Sequence, residues 1–217
     1  MRPLMPDYAL ESANGAPEKS VVGLDEVGRG PLAGPVIAAA LLFMTPPVAA
    51  LAALIDDSKK LSAKRRDAAY AALMQAPSVR VGLGAASVAE IEAINIGKAC
   101  HLAMQRALQH LGIVPDCALV DGNRLPDLGC PSVAVVGGDR KSLSIAGASI
   151  IAKVTRDRLM TRLSERHNAY GWEKNAGYGT ALHMAGLKLA GVTPHHRREF
   201  APIRAHLACA AQPVGAI

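Results

Sequence analysis

Three short apolar runs in this chain end alike, in a carboxylate beside glycine, and this recurrence limits what the chain can fold into. Val21-Val22-Gly23-Leu24 leads into Asp25-Glu26 and then Gly28-Arg29-Gly30-Pro31; Leu119-Val120 leads into Asp121-Gly122-Asn123; Val135-Val136 leads into Gly137-Gly138-Asp139. Apolar runs of this length bounded by turn residues read as buried strands. Side by side in one sheet, they would gather Asp25, Glu26, Asp121 and Asp139 at a single edge. Any one of these acids alone would read as a solvated loop residue. Four together repel one another and raise each other's pKa values. A pair of Mg²⁺ or Mn²⁺ ions about 4 Å apart removes that repulsion, and can activate a water and stabilise the leaving oxygen in phosphodiester cleavage. Glycines beside such a cluster let backbone amides approach a ligand without a Cβ in the way.

Gly28-Arg29-Gly30-Pro31-Leu32-Ala33 also fits a dinucleotide-binding fingerprint, which would suit a nucleotide-dependent oxidoreductase. That fingerprint needs its glycines to open a helix whose N-terminus holds a pyrophosphate. Here Pro31, Pro35 and the apolar run Val36 to Met44 follow, which favours a second strand after a tight turn, and Asp25-Glu26 would repel the pyrophosphate. A second alternative is a nucleic-acid-binding module without catalysis. The four acids argue against it, because a groove built only to bind would favour cations.

The charge distribution points to a polyanionic partner. The net charge is +6, but residues 1–139 carry 12 Lys+Arg against 14 Asp+Glu, and residues 140–217 carry 12 against 4. A cation-rich final third supplies the salt-dependent part of nucleic-acid affinity, although a solubilising helix face would look the same in sequence. The apolar run Val36 to Met44 is far shorter than the roughly 20 residues of a bilayer crossing. Cys100, Cys117, Cys130 and Cys209 form no C-x-x-C pair, so neither a zinc site nor a redox motif is expected. With 3% aromatic residues, the core must be aliphatic.

The organisation reads as one α/β layered domain with a mixed sheet. Residues 1–20 are expected to be a flexible tail, 21–205 the domain, and 206–217 a C-terminal tail. Strands are expected over Val21–Glu26, Ala33–Phe43, Val79–Ala86, Cys117–Val120 and Val133–Val136. Helices are expected over Val48–Ile55, from the N-cap Ser62 to Gln75, from the capping box Ser87-Val88-Ala89-Glu90, and again from Cys100. From there Ala103, Met104, Ala107, Leu108 and Leu111 form one apolar face. A long helix over Leu143–Arg166, another over Thr180–Ala190 and a last helical turn at Thr193-Pro194 complete the reading.

The chain resembles the type 2 ribonucleases H (ribonuclease HII) from about Val21 to Arg204. The matching blocks are Gly23-Leu24-Asp25-Glu26-Val27-Gly28-Arg29-Gly30-Pro31-Leu32-Ala33-Gly34, Asp57-Ser58-Lys59-Lys60-Leu61, Val120-Asp121-Gly122-Asn123, Gly138-Asp139, Ala148-Ser149-Ile150-Ile151-Ala152-Lys153-Val154-Thr155-Arg156-Asp157, Gly177-Tyr178-Gly179-Thr180 and His195-His196-Arg197-Arg198. The resemblance implies a ribonuclease H-like fold with flanking helices and a small C-terminal helical extension. It implies Mg²⁺- or Mn²⁺-dependent cleavage of RNA in RNA–DNA hybrids and of single ribonucleotides embedded in duplex DNA. The cut falls 5′ to the ribonucleotide and leaves a 3′-hydroxyl and a 5′-phosphate. A cytoplasmic monomer acting in ribonucleotide removal from DNA is expected.

Asp25, Glu26, Asp121 and Asp139 match the family's catalytic, metal-binding carboxylates. Substrate-binding roles are implied for Gly28, Arg29 and Gly30, whose backbone reads the 2′-hydroxyl, and for Tyr178, which packs on the following deoxyribose. They are implied also for Lys59, Lys60, Ser149, Lys153, Arg197 and Arg198. Lys153 could instead pair with Asp157 at i+4. His195 and His196 are expected to contact phosphate or pack, since adjacent helical residues diverge by about 100°. The chain departs from the family pattern at Asn175-Ala176, where His-Lys is common, and at Gly147, where alanine is usual.

Overall fold

The computed structural model describes residues 5–210. Its strands are β1 (Val21–Val27), β2 (Val36–Phe43), β3 (Val79–Ala86), β4 (Cys117–Asp121) and β5 (Ser132–Val135). The helices are α1 (Ala9–Ala13), α2 (Ala49–Ala52), α3 (Ala63–Gln75), α4 (Val88–His110), α5 (Leu143–Arg166), α6 (Trp172–Asn175), α7 (Ala181–Ala190) and α8 (Ala201–Ala210). The strands form one mixed sheet in the order β3-β2-β1-β4-β5. β1 pairs antiparallel with β2 and parallel with β4, which places it at the centre.

Period-two alternation along β1 and β2 sorts the core into two layers. Val22, Leu24, Ala38 and Ala40 pack with Ala103, Met104 and Ala107 of α4. Ala39, Leu41 and Phe43 pack with Leu73 of α3 and with Ala148, Ile151 and Ala152 of α5. Small side chains in β2 allow helices close approach on both faces. Gly147 follows from the same crowding. A Cβ there would lie 2.8 Å from Leu41 Cδ1. Alanine's helix propensity is worth about 1 kcal/mol and overpacking costs about 1–3 kcal/mol, so alanine there would give up its advantage unless the buried Leu41 side chain shifts.

Several boundaries differ from the sequence expectation. α4 is one element broken at Asn95 (φ 69°), whose Oδ1 accepts from Gly97 N–H and Lys98 N–H and caps the second segment. Thr193-Pro194 forms a turn closed onto His196 rather than a helical turn, and the next helix begins at Ala201.

The region expected as a flexible tail is folded over residues 5–20. Glu11 on α1 is fully buried. It accepts hydrogen bonds from Ser142 Oγ (2.6 Å), Ser144 N–H (2.8 Å) and Ser144 Oγ (2.6 Å). A carboxylate at the N-terminus of α5 satisfies donors that the helix itself cannot. At the other end, residues 206–210 complete α8; residues 1–4 and 211–217 of the two expected tails lie outside the described residues.

Candidate active site

Parallel pairing of Leu24 with Val120 brings the next residues, Asp25 and Asp121, to the same level at the edge of the sheet. β5 pairs Val135 with Asp121 and then turns through Gly137 (φ 64°), which carries Asp139 back under the edge in a 3-10 turn over Gly138–Arg140. Gly138 N–H donates to Asp121 Oδ1 at 2.7 Å and joins the two strand ends. Asp25 lies on the α5 side of β1, and Glu26, one residue on, faces the α4 side. The two therefore approach the edge from opposite faces.

Burial and nearby carboxylates raise Asp25, Glu26 and Asp139 as the sequence implies. Asp25 is 7% exposed, and its pKa is raised well above the ordinary carboxylate range by burial, then by Glu26 and Asp121. Burial is also the largest influence on Glu26, opposed by Arg29 and reinforced by Asp121; the result is a pKa of about 7. Burial, Asp57 and Asp121 raise Asp139. Among the described residues, no group of three His, Cys, Asp or Glu side chains is drawn together tightly enough to form a metal cage as it stands. The acids nevertheless fit hard divalent cations in chemistry, because oxygen ligands suit such ions and Glu26 and Asp121 still repel Asp25, while Arg29 and Lys59 reach only Glu26 and Asp139.

A groove of ≈ 670 Å³ opens on the α4 side, lined by Glu26, Arg29, Lys98, His101, Asp121 and Arg124 among others. Lys98, His101 and Arg124 were not singled out in the sequence. Only Arg124 carried a local signal, three residues after Asp121. On the other side of the acids, Lys59 Nζ lies 3.6 Å from Asp139, with its side chain 83% exposed. Lys60 pairs with Asp56 at 3.6 Å. Lys153 is engaged with Asp157 at 2.7 Å. Ser149 is buried, bonds Ser58 Oγ at 2.9 Å and hydrogen-bonds Asp25, so it orients an acid instead of facing open substrate.

Arg197 corrects the sequence expectation most sharply. It is fully buried and cannot reach a phosphate. Its guanidinium donates to the carbonyls of Gly28, Arg29 and Gly34, and so holds the Gly28–Gly34 loop from behind. Arg198, next to it, is exposed, and its backbone N–H donates to Glu92. Gly28 (φ 97°) has no room for a side chain, since a Cβ there would collide with Arg156 Nε and Pro35 O. The loop is also stitched along its backbone, by Leu32 N–H to Gly177 O and Gly34 N–H to His195 O, both 2.8 Å.

Tyr178 stands beside this loop. A Cβ on Gly30 would meet Tyr178 Cε1 at 3.5 Å, and the tyrosine is 47% exposed. Its carbonyl is 2.9 Å from His183 Nδ1; Trp172 Nε1 donates to His183 Nε2 at 3.2 Å, and His196 Nε2 lies 3.0 Å from that same atom. A proton on His183 Nδ1 and on His196 Nε2 satisfies every one of these contacts, with both rings neutral. Burial lowers the His196 pKa to about 3, helped by His183. His195 packs against His167 and Trp172. Asn175 braces the same turn: its Nδ2 donates to Tyr170 O (2.7 Å) and Thr180 Oγ1 (3.2 Å), and its Oδ1 accepts from Gly177 N–H (2.9 Å), a role that a cation, which only donates, could not fill.

Comparison with known proteins agrees with this architecture. The family profile described as Ribonuclease HII matches residues 22–203. The Ribonuclease HII of Gluconobacter oxydans is 68% identical over 200 residues, covering 92% of this chain and 95% of its own. That of Rhodospirillum rubrum is 58% identical over 210 residues, covering 96% and 95%. Among solved structures, ribonuclease H2 from Pyrococcus horikoshii shares the fold with a TM-score of 0.77 at 23% identity, over 89% of this chain and all of that one. Bst-RNase HIII in complex with Mn²⁺ shares it with a TM-score of 0.68 at 22% identity, over 89% and 70%. With its sheet of five mixed strands, its edge of four acids and these relatives along nearly its whole length, the chain belongs to the ribonuclease HII family.

Proposed function

We propose that this enzyme hydrolyses the RNA strand of RNA–DNA hybrids and cuts 5′ to single ribonucleotides in duplex DNA, leaving a 3′-hydroxyl and a 5′-phosphate. The observation that carries this reading is the adjacency of the Gly28–Gly30 loop and Tyr178 at the rim of the four acids. Asp25, Glu26, Asp121 and Asp139 would hold Mg²⁺ or Mn²⁺, which when bound supplies a nucleophilic water and charge for the leaving oxygen.

The protein's own residues then divide the work. Backbone groups of Gly28-Arg29-Gly30 approach a ribose edge that a side chain would block, and the 2′-hydroxyl is what separates RNA from DNA there. The tyrosine ring packs on the next sugar and aligns the scissile phosphate with the acids. Arg29, Lys98 and Arg124 in the groove, with Lys59 beyond Asp139, attract backbone phosphates without reading sequence. The four described cysteines are free thiols, which suits action in the cytoplasm, and we propose that the chain works there as a monomer.

Metal dependence tests the chemistry. A hybrid incubated with Mg²⁺, Mn²⁺ or EDTA should yield 5′-phosphate products in the first two and none in the third. Cleavage that continues in EDTA would refute the role given to the acids.

A further inference from the structure

Arg156 is fully buried in the middle of α5, and no carboxylate among the described residues forms an ion pair with it. Each of its three nitrogens donates to a backbone carbonyl. Nε bonds Pro35 O at 2.9 Å, Nη2 bonds Ala33 O at 3.0 Å, and Nη1 bonds Ala176 O at 2.8 Å. The first two acceptors belong to the stretch continuing from the Gly28–Gly30 loop. The third lies two residues before Tyr178. One rigid, planar side chain therefore spans the two segments assigned to ribose reading and sugar packing.

A purely structural role explains this poorly. An unpaired guanidinium is costly to bury, and burial here holds its pKa down to about 10. Arg197 adds a second buried guanidinium in the same neighbourhood, also on loop carbonyls, and its pKa is lowered by burial and then by Arg156. Hydrophobic residues of similar volume would fill this core at less cost. What they could not do is fix the separation of two backbone segments, for which the fork geometry of arginine is suited. Ala176 (φ 48°) shows that the tyrosine turn is held in a conformation an L side chain rarely adopts, and its carbonyl is the one that Arg156 binds.

We infer that Arg156 is a positioning residue that sets the register between the Gly28–Gly30 loop and Tyr178, and through that register the alignment of the scissile phosphate at a ribonucleotide–DNA junction. This rests on the reading of the loop and the tyrosine proposed above.

The test is a double-mutant cycle on a duplex with one embedded ribonucleotide. Arg156→Lys keeps the charge but cannot reach all three carbonyls. In the Tyr178 background it should lower kcat about tenfold with little change in KM, because alignment is lost and phosphate binding is not. In the Tyr178→Ala background the same change should cost no more than about threefold, since the group it positions is absent. Equal losses in both backgrounds, no loss in either, or a loss confined to KM would overturn the inference. So would failure of both Arg156→Lys and Arg156→Gln to fold, which would assign the side chain to the core alone. The parent enzyme is the control: if it does not cut 5′ to the ribonucleotide, the functional reading itself falls, whatever the variants do.

Discussion

Gly138 N–H donates to Asp121 Oδ1 at 2.7 Å, so the turn that carries Asp139 is fastened directly to the acid at the end of β4. Two of the four carboxylates are thus placed by a single backbone contact. A Cβ at Gly138 would meet Ile145 Cδ1 at 2.5 Å and Asp121 Oδ1 at 3.3 Å. Gly138→Ala should therefore shift the turn and lower kcat about tenfold or more while leaving hybrid affinity nearly intact. Steady-state kinetics that show unchanged kcat would mean the turn is free to adjust.

Asp25→Asn should separate activity from stability. The change removes a charge held against burial and against Glu26 and Asp121. Cleavage should disappear, hybrid binding should persist, and the metal-free protein should gain about 1 kcal/mol at pH 8, as active sites often trade stability for function. Thermal denaturation in EDTA measures this; a lower Tm for the variant would contradict the repulsion described here.

Acid should destabilise the protein through His196, whose pKa drops to about 3 when folded against an ordinary 6.5. The unfolded chain binds a proton below about 6.5 and the folded one does not, so this stability is complete above that pH and is lost as pH falls toward 3. His196→Gln should flatten the fall in Tm between pH 6.5 and 4. An equal fall in both proteins would place the acid sensitivity elsewhere.

Much of this arrangement was legible in the sequence because its causes are local. The helix that starts after Ser62 and the strand Val79–Ala86 lie where capping and alternation put them, and the three strand ends place all four acids at one edge. What could not be read depends on partners far along the chain. Glu11 lies in a polar segment that looks like a tail until Ser142 and Ser144, more than 130 residues later, supply its donors. Arg197 resembles a phosphate ligand because its partners are backbone carbonyls, and every residue has one of those.

This distinction bears on affinity. Among catalytically dead Asp25→Asn proteins, replacing Arg124 or Lys98 by Ala should reduce the slope of log affinity against log salt by roughly one unit per lost phosphate contact. Arg197→Ala should leave the slope unchanged although it destabilises the fold. A reduced slope for Arg197→Ala alone would restore it to the nucleic-acid surface.

Junction recognition is tested most directly by mapping the products made from a duplex containing a single ribonucleotide alongside an all-DNA duplex in Mg²⁺. The arrangement of Gly28–Gly30, Tyr178 and the four acids predicts one cut, 5′ to the ribose, a 3′-hydroxyl on the upstream fragment, no cleavage of the all-DNA duplex, and a large loss of rate in Tyr178→Ala. Cleavage on the 3′ side of the ribose, cleavage of plain DNA, or equal rates for Tyr178→Ala and the parent enzyme would contradict it.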